Sequence, residues 1–374
     1  MAKQEDEKFY IVREHLPMTM PIDYNKAIDE VQSVLKEKTK VYAFKKLERE
    51  IIKTGACVEC GSCIASCPVD AISAEYVDEK LVPTLTGDCI SCGICYAMCP
   101  RSYVLFGDLI GPFQSAWKVR SLGQHKRQDG GAAIALLEYL LSSKKIESAV
   151  VATHSPDKPW RPIAKRVTDI EQLHDCGGTI YSHAQVASEM IQGFKEGIFK
   201  QAVVGTACNI DALSRMETHP AGFAALNKEV DIFKLSLFCM ESFNYGDLVK
   251  FLNNEGIEIG KVTRFAIASG QFSVTTNDGE KSWAVKELDS IAASSCSYCQ
   301  DLTGKHSDIS CGNIGSDEGW TTVLVRTKKG EEVFRGALKA GLIEAEELEP
   351  KSVQTVANSA RFKKNKYFSL SPSH

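Results

Sequence analysis

Eight cysteines in two copies of one pattern constrain this chain more than any other feature. The first copy, CVECGSCIASCP, supplies Cys57, Cys60, Cys63 and Cys67; the second, CISCGICYAMCP, supplies Cys89, Cys92, Cys95 and Cys99. Both read C-x2-C-x2-C-x3-C-P, a spacing that holds 4Fe–4S cubanes in pairs. Three cysteines two residues apart share a tight loop, so their thiolates converge on three corners of one cube. The fourth is carried forward and reaches the other cube. The spacing therefore predicts one cluster on Cys57, Cys60, Cys63 and Cys99, and a second on Cys89, Cys92, Cys95 and Cys67. Gly61 and Gly93 read as relief of crowding where the loop wraps the cluster. Pro68 and Pro100 read as stops to the local turn. Zinc sites take thiolates or imidazoles in pairs of two, and disulfides belong to oxidising compartments; neither suits this repeat.

A chain of 374 residues has room for more than this module,. Residues 1–54 form an N-terminal extension, irregular to about residue 23, where Pro17 and Pro21 break the chain, then helical in pattern over 24–53,. This stretch reads either as a docking arm or as a stabilising wrap over the cluster module. A bacterial-type two-cluster ferredoxin module spans 55–105, and a linker with Gly107, Gly111 and Pro112 follows,. From 117 to 345 strand and helix signals alternate: the helix AAIALLEYLL, the strands SAVVATH, QAVVGTA and IFKLSLF, the helix YGDLVKFLNN, the paired strands RFAIAS and FSVTTN, then TTVLVRT and the helix EEVFRGALKAG. That order predicts an α/β domain with a mixed sheet, α+β over the whole chain. The polar tail 346–374, with Arg361, Lys363, Lys364 and Lys366, reads as solvated,. A net charge of −4 gives no basic field for nucleic acid,. No apolar run approaches the length of a membrane span, and the acidic start MAKQEDEKFYIV resembles no targeting signal,. A cytoplasmic location is expected, compatible with peripheral docking on the inner face of a membrane complex.

Six cysteines remain. Cys208 follows the strand QAVVGTA, Cys239 follows LSLF, and Cys296 and Cys299 form a C-x2-C pair. Four thiolates could close a third cubane. Single cysteines after apolar strands also serve as small buried hydrophobes, and an isolated C-x2-C is equally half a zinc site or a redox pair. Cys176 and Cys311 read as buried thiols without a role. The stretch QDGGA, with Asp129 as N-cap and Gly130 and Gly131 before an apolar helix, offers backbone N–H groups at the positive end of a helix dipole, where a phosphate would bind. D-G-G is also an ordinary turn.

The stretches QDGGAAIALLEYLL, VVGTACNIDAL, LSLFCMESFNY and CSYCQDLTGKHSDISCGNIGSDEGWTTVLVRT, behind the cysteine module, resemble the family formed by the β subunits of coenzyme F420 hydrogenases and dehydrogenases. The resemblance covers roughly residues 55–345. The two-cluster start is the layout of the F subunit of F420 dehydrogenase, an electron-input component in methanogenic archaea. The resemblance implies a mixed-sheet flavin domain, with a third 4Fe–4S cluster on Cys208, Cys239, Cys296 and Cys299. It also implies FAD phosphates near Asp129, Gly130 and Gly131. Some positions depart from the family pattern: Ala207 replaces a proline, Ile134 a hydroxyl residue, Ile180 a basic residue and Lys305 an acidic one.

Coenzyme F420 carries hydride, two electrons together, whereas a 4Fe–4S cluster takes one. FAD between them explains why one chain holds all these parts. The function implied is an F420-linked oxidoreductase passing electrons to or from partner subunits or ferredoxin. Two other readings stand beside it: a ferredoxin-driven reductase of F420 or another small substrate, and a flavin-free iron–sulfur wiring subunit.

Overall fold

A computed structural model describes residues 44–368 except 56, 58, 78–79, 100, 102–108, 126, 219–221, 224–226 and 269. The expectations for residues 1–43, for Pro100 and for the last six residues lie outside this range. The chain divides into two compact units that meet in sequence at Phe106 and Gly107.

The first unit is small. Helix α1 (Phe44–Leu47) continues as a wider π-helical turn through Ile52. Helix α2 (Ser62–Ala65), the hairpin β1 (Ile72–Val77) and β2 (Lys80–Leu85), and helix α3 (Ile94–Ala97) follow. Phe44, Leu47 and Ile51, at helical spacing, bury one apolar stripe against Ile72, Tyr96 and the cysteine loops,. Tyr96 is fully buried, and its hydroxyl donates to Glu50 Oε2 at 2.6 Å. So the described end of the N-terminal extension is a wrap over the cysteine module.

The second unit is built on an eight-stranded mixed sheet. In chain order its elements begin with β3 (Ser115–Ser121), α4 (Ala132–Ser142), β4 (Ser148–His154), β5 (Pro162–Val167), α5 (Ile170–His174) and α6 (Val186–Lys195). There follow β6 (Lys200–Thr206), α7 (Ala207–Thr218), β7 (Asp231–Leu237), α8 (Tyr245–Asn254), β8 (Val262–Ala268), β9 (Gln271–Thr276) and β10 (Gly279–Ala284). The chain closes with β11 (Ile309–Gly312), β12 (Thr321–Val325), α9 (Lys328–Lys339), β13 (Ile343–Glu347) and α10 (Pro350–Phe368). The strand order is β13-β3-β12-β11-β7-β6-β4-β5, with β4, β6, β7 and β11 parallel and the flanking strands antiparallel.

The parallel centre is apolar on both faces, as crossover connections require. Ala149, Val151, Phe233 and Leu235 pack under α4 and α9. Val150, Val203 and Ile232, one residue out of phase, pack under α6 and α7. The strands β8, β9 and β10 form a separate antiparallel meander whose core includes Trp160, Phe243, Phe265 and Phe272. Each helix and strand that the pattern predicts between 117 and 345 is present, and β8 and β9 turn through Gly270 as expected.

The tail departs from expectation. Residues 350–368 form a 19-residue helix rather than a solvated segment. Val356, Ala360 and Lys363, at positions i, i+4 and i+7, share one face, and all three are buried. A stripe of two small apolar residues and a lysine stem is too weak to stand out in a polar sequence, yet it suffices to seat a helix.

Candidate metal centres and cofactor site

In the first unit the two cysteine loops adopt the same unusual backbone. Glu59 and Ser91 both have φ of 57°, and the next glycines, Gly61 and Gly93, have φ of 72° and 79°. These left-handed turns curl each loop so that its thiols face inward. Both glycines take the left-handed backbone that other residues rarely adopt, and a Cβ on Gly61 would meet no protein atom within 4 Å. One small cavity is lined by Cys57, Cys60, Cys63 and Cys99 together with Leu47, Ile51 and Pro83. A second is lined by Cys67, Cys89, Cys92 and Cys95 with Phe44, Ile72 and Ile90. Each cavity thus takes three cysteines from one loop and the fourth from the other. Among backbone donors, Ala71 N–H reaches Cys67 Sγ at 3.2 Å and Ser91 N–H reaches Cys89 Sγ at 3.4 Å. Burial pushes the Cys63 thiol up to about 11 and the Cys95 thiol to about 12, with neighbouring thiolates adding to both shifts. Buried thiols crowded together without a cation are unfavourable, and iron relieves both penalties. Four soft donors around an apolar hole fit a cubane.

In the second unit, sheet register brings distant cysteines together. Thr206 in β6 pairs with Leu237 in β7. Cys208 and Cys239 each lie two residues beyond that pair, at the carboxyl ends of adjacent parallel strands, where α/β sheets place their ligands. The short 3-10 turn Ser294–Tyr298 brings in Cys296, whose Sγ accepts from Ser242 N–H at 3.3 Å. His183 hydrogen-bonds both Cys208 and Cys296; the two sulfurs raise its imidazole to about 10. His183 in turn lowers the Cys208 thiol. For Cys296, burial pushes upward, but His183, Ser242 N–H and Lys363 outweigh it and the thiol is lowered. Burial holds Cys239 up at about 12, opposed by the ammonium of Lys363. Cys299 follows at the end of the same turn, and its Sγ lies 3.5 Å from the carbonyl oxygen of Asp301.

Behind this group stands a polar frame. The carboxylate of Asp301 accepts from the N–H groups of Thr303, Gly304 and Lys305, each at 2.9 Å. The buried Arg326 donates to Thr303 Oγ1 at 2.9 Å, Ser310 Oγ at 2.7 Å and Pro112 O at 2.9 Å. Lys363 Nζ donates to the carbonyls of Cys239 and Asp301 at 2.6 and 2.9 Å. Sequence reasoning missed His183, Asp301, Arg326 and Lys363. Asp301 alone carried a signal, an Asx turn in CQDLTG.

Of the remaining two cysteines, only Cys311 is the fully buried thiol expected. Cys311 is buried in β11, its thiol pushed up to about 12 by burial. Cys176 is partly buried beside the core, with its Sγ donating to Gln172 O at 3.2 Å.

Asp129, Gly130 and Gly131 stand at the start of α4, but the N-cap is Gly131, with φ of 76°, and not Asp129. The N-cap glycine has no side chain to cap the helix, and among the described residues no side chain accepts from its first N–H groups. That fits a bound phosphate. Gly130 itself is held by the sheet: a Cβ there would lie 2.4 Å from Val119 O. Burial raises the Asp129 carboxyl, Arg264 opposes and Glu318 adds to the rise. Ile134, one of the departures from the family pattern, is buried in the sheet core. A separate open cleft of about 810 Å³ is lined by Lys158, Arg161, Gln185, Phe243, Tyr245 and His183. Asp129, Gly130 and Gly131 are not part of its wall.

A mixed α/β domain preceded by a 4Fe–4S dicluster domain defines the class, an iron–sulfur oxidoreductase. Residues 49–100 match the family model for a 4Fe–4S dicluster domain. Residues 114–190 and 199–351 match the N-terminal and C-terminal models of the coenzyme F420 hydrogenase/dehydrogenase β subunit. This chain belongs to that family. It is 32% identical to the β subunit of the coenzyme F420 hydrogenase of Methanosarcina barkeri, over 60% of this chain and 77% of that protein. It is 27% identical to the F subunit of the F420H2 dehydrogenase of Methanosarcina mazei, over 76% of this chain and 83% of that protein. It is 31% identical to the coenzyme F420-dependent sulfite reductase of Methanocaldococcus jannaschii, over 80% of this chain, but spans only 49% of that protein's length. A chain in the F420-reducing [NiFe] hydrogenase complex of Methanosarcina barkeri superposes with a TM-score of 0.65 at 29% identity, covering 69% of this chain and 91% of that one. No helix among the described residues is long and apolar enough to cross a membrane.

Proposed function

We propose that this chain exchanges hydride between coenzyme F420 and FAD and relays single electrons through three 4Fe–4S clusters to or from a partner protein. FAD, when bound, supplies the exchange between two-electron and one-electron chemistry. The single observation carrying this reading is the gathering of Cys208, Cys239 and Cys296 from three separate elements, with His183 joining two of them to the wall of the open cleft. Cys299, the next cysteine in the turn, completes the proposed ligand set. The eight cysteines of the first unit hold the other two clusters. The uncapped start of α4 at Asp129–Gly131 receives the FAD phosphates, and the cleft, with Lys158 and Arg161 on its wall, takes the deazaflavin. Lys158 and Arg161 offer partners for anionic groups, Asp157 and Glu189 share the wall with them, and the volume is within the usual range of ligand clefts,. The electron partner is a second subunit or a ferredoxin, with the chain in the cytoplasm and docking on a membrane complex as one arrangement.

Anaerobic protein with intact flavin and clusters is mixed with reduced F420 and a viologen dye. Oxidation of F420 with reduction of the dye is expected. Failure to oxidise F420 with all cofactors in place would overturn the proposal. A flavin-free iron–sulfur wiring subunit is the alternative reading. Iron without flavin in the purified protein would identify that case.

A further inference from the structure

We propose that His125, Glu138 and His174 bind one divalent transition-metal ion of the zinc class, at a site separate from the cysteine centres. His125 lies in the loop after β3, Glu138 in the middle of α4, and His174 ends α5. Their ligand atoms all fall within 4.8 Å of one another, and among the described residues they form the one such group of three or more. His174 Nε2 and Glu138 Oε2 are 3.0 Å apart. The rings of His125 and His174 stack with centroids 5.2 Å apart at 28°.

An ordinary His–Glu pair accounts for two of these residues but not for the third. Among the described residues neither ring nitrogen of His125, both shielded from solvent, has a hydrogen-bond partner of normal geometry, although the Gly131 backbone is close enough to act on the ring. A buried polar atom left without a partner is costly, and interiors rarely tolerate it. Nor would two stacked imidazoles both carry protons comfortably, since like charges would face each other. Two imidazoles beside a carboxylate are a donor set for a metal ion, which would take the place of the proton between His174 and Glu138,. Two nitrogens and one oxygen, with no sulfur, suit a single zinc ion with water in the fourth position. Ferrous iron accepts the same donors but binds more weakly. The ion would tie the loop between β3 and α4 to α4 and α5, and so brace the segment carrying Asp129, Gly130 and Gly131.

The test uses the full chain, purified anaerobically with its iron and sulfide counted, stripped of loose metal by a chelator and equilibrated with zinc alone. The expected result is about one zinc per chain, with only nitrogen and oxygen neighbours at about 2.0–2.1 Å by zinc-edge X-ray absorption. In His174→Ala and in Glu138→Gln, zinc affinity falls at least tenfold while iron and sulfide stay unchanged. Glu138→Gln keeps the side-chain shape and carries the test if His174→Ala fails to fold. Equal zinc in wild type and Glu138→Gln would overturn the proposal. So would sulfur neighbours at about 2.3 Å, which would put the ion on cysteines. Neither readout depends on flavin or on F420, so it fails or stands apart from the proposed function.

Discussion

The ammonium of Lys363 donates to the backbone carbonyl of Cys239 across 2.6 Å, although 124 residues separate them in sequence. The lysine is 4% exposed, and its second acceptor is the carbonyl of Asp301. One buried cation therefore holds together two loops that carry cysteines, and its charge stabilises nearby thiolates. It also fixes α10 against the turn that bears Cys296.

Lys363→Met keeps the stem and removes the charge. Two buried carbonyls lose their donor, at a cost of about 1–3 kcal/mol in unfolding free energy. Without the cation, the potential of the proposed third cluster moves to more negative values, because reduction adds negative charge there. Redox titration followed by electron paramagnetic resonance checks this; the two clusters of the first unit should keep their potentials.

Gly304→Ala should be among the most damaging single changes in the second unit. Gly304 has φ of +71°, and a Cβ there would lie 1.9 Å from Ser236 Oγ and 2.3 Å from Ser236 Cβ. Overpacking and a left-handed alanine together cost about 3 kcal/mol. Chemical denaturation measures the loss. Ser236→Gly in the same chain should restore part of it, since it empties the space that the new methyl group needs.

Iron content separates two cluster sites from three. Wild type should hold about twelve irons per chain, as three cubanes require. Cys208→Ala and Cys299→Ser should each bring this to about eight. A wild-type value of about eight would remove the second-unit cysteines from the ligand set. Cys311→Ala and Cys176→Ala should leave the count unchanged.

Removing iron with a strong chelator should unfold the first unit selectively. Its buried set is small, and three of its cysteines, Cys63, Cys95 and Cys99, are themselves part of the core. Small units of this kind depend on their metal for stability. Amide hydrogen exchange should rise sharply over residues 62–97 while β6 and β7 stay protected. Persistent protection of α2 and α3 after iron loss would contradict this.

Much of the fold was legible because its signals are local. The apolar strands β4, β6 and β7 carry their own period, and YGDLVKFLNN shows a helical face whatever surrounds it. The double cysteine motif was legible for the same reason: three thiols of each set share one loop, so spacing alone brings them near one another. The family resemblance then connected the second-unit cysteines, which spacing had left open between a cluster, a zinc half-site and buried thiols. At the start of α4 the expectation was right about the helix and wrong about its cap, because the cap is decided by the backbone turn at Gly131.

The amino-acid sequence by itself determined the elements, the paired cysteine loops and the class of chemistry they invite. Tertiary structure alone decided which distant groups share one environment. The register of β6 against β7 sets Cys208 beside Cys239. The packing of Val356 and Ala360 turns a polar tail into a helix that delivers Lys363. The docking of α5 on α4 brings His174 to Glu138. Such contacts arise from strand pairing and helix packing summed over many residues, and no local pattern at the meeting groups records them.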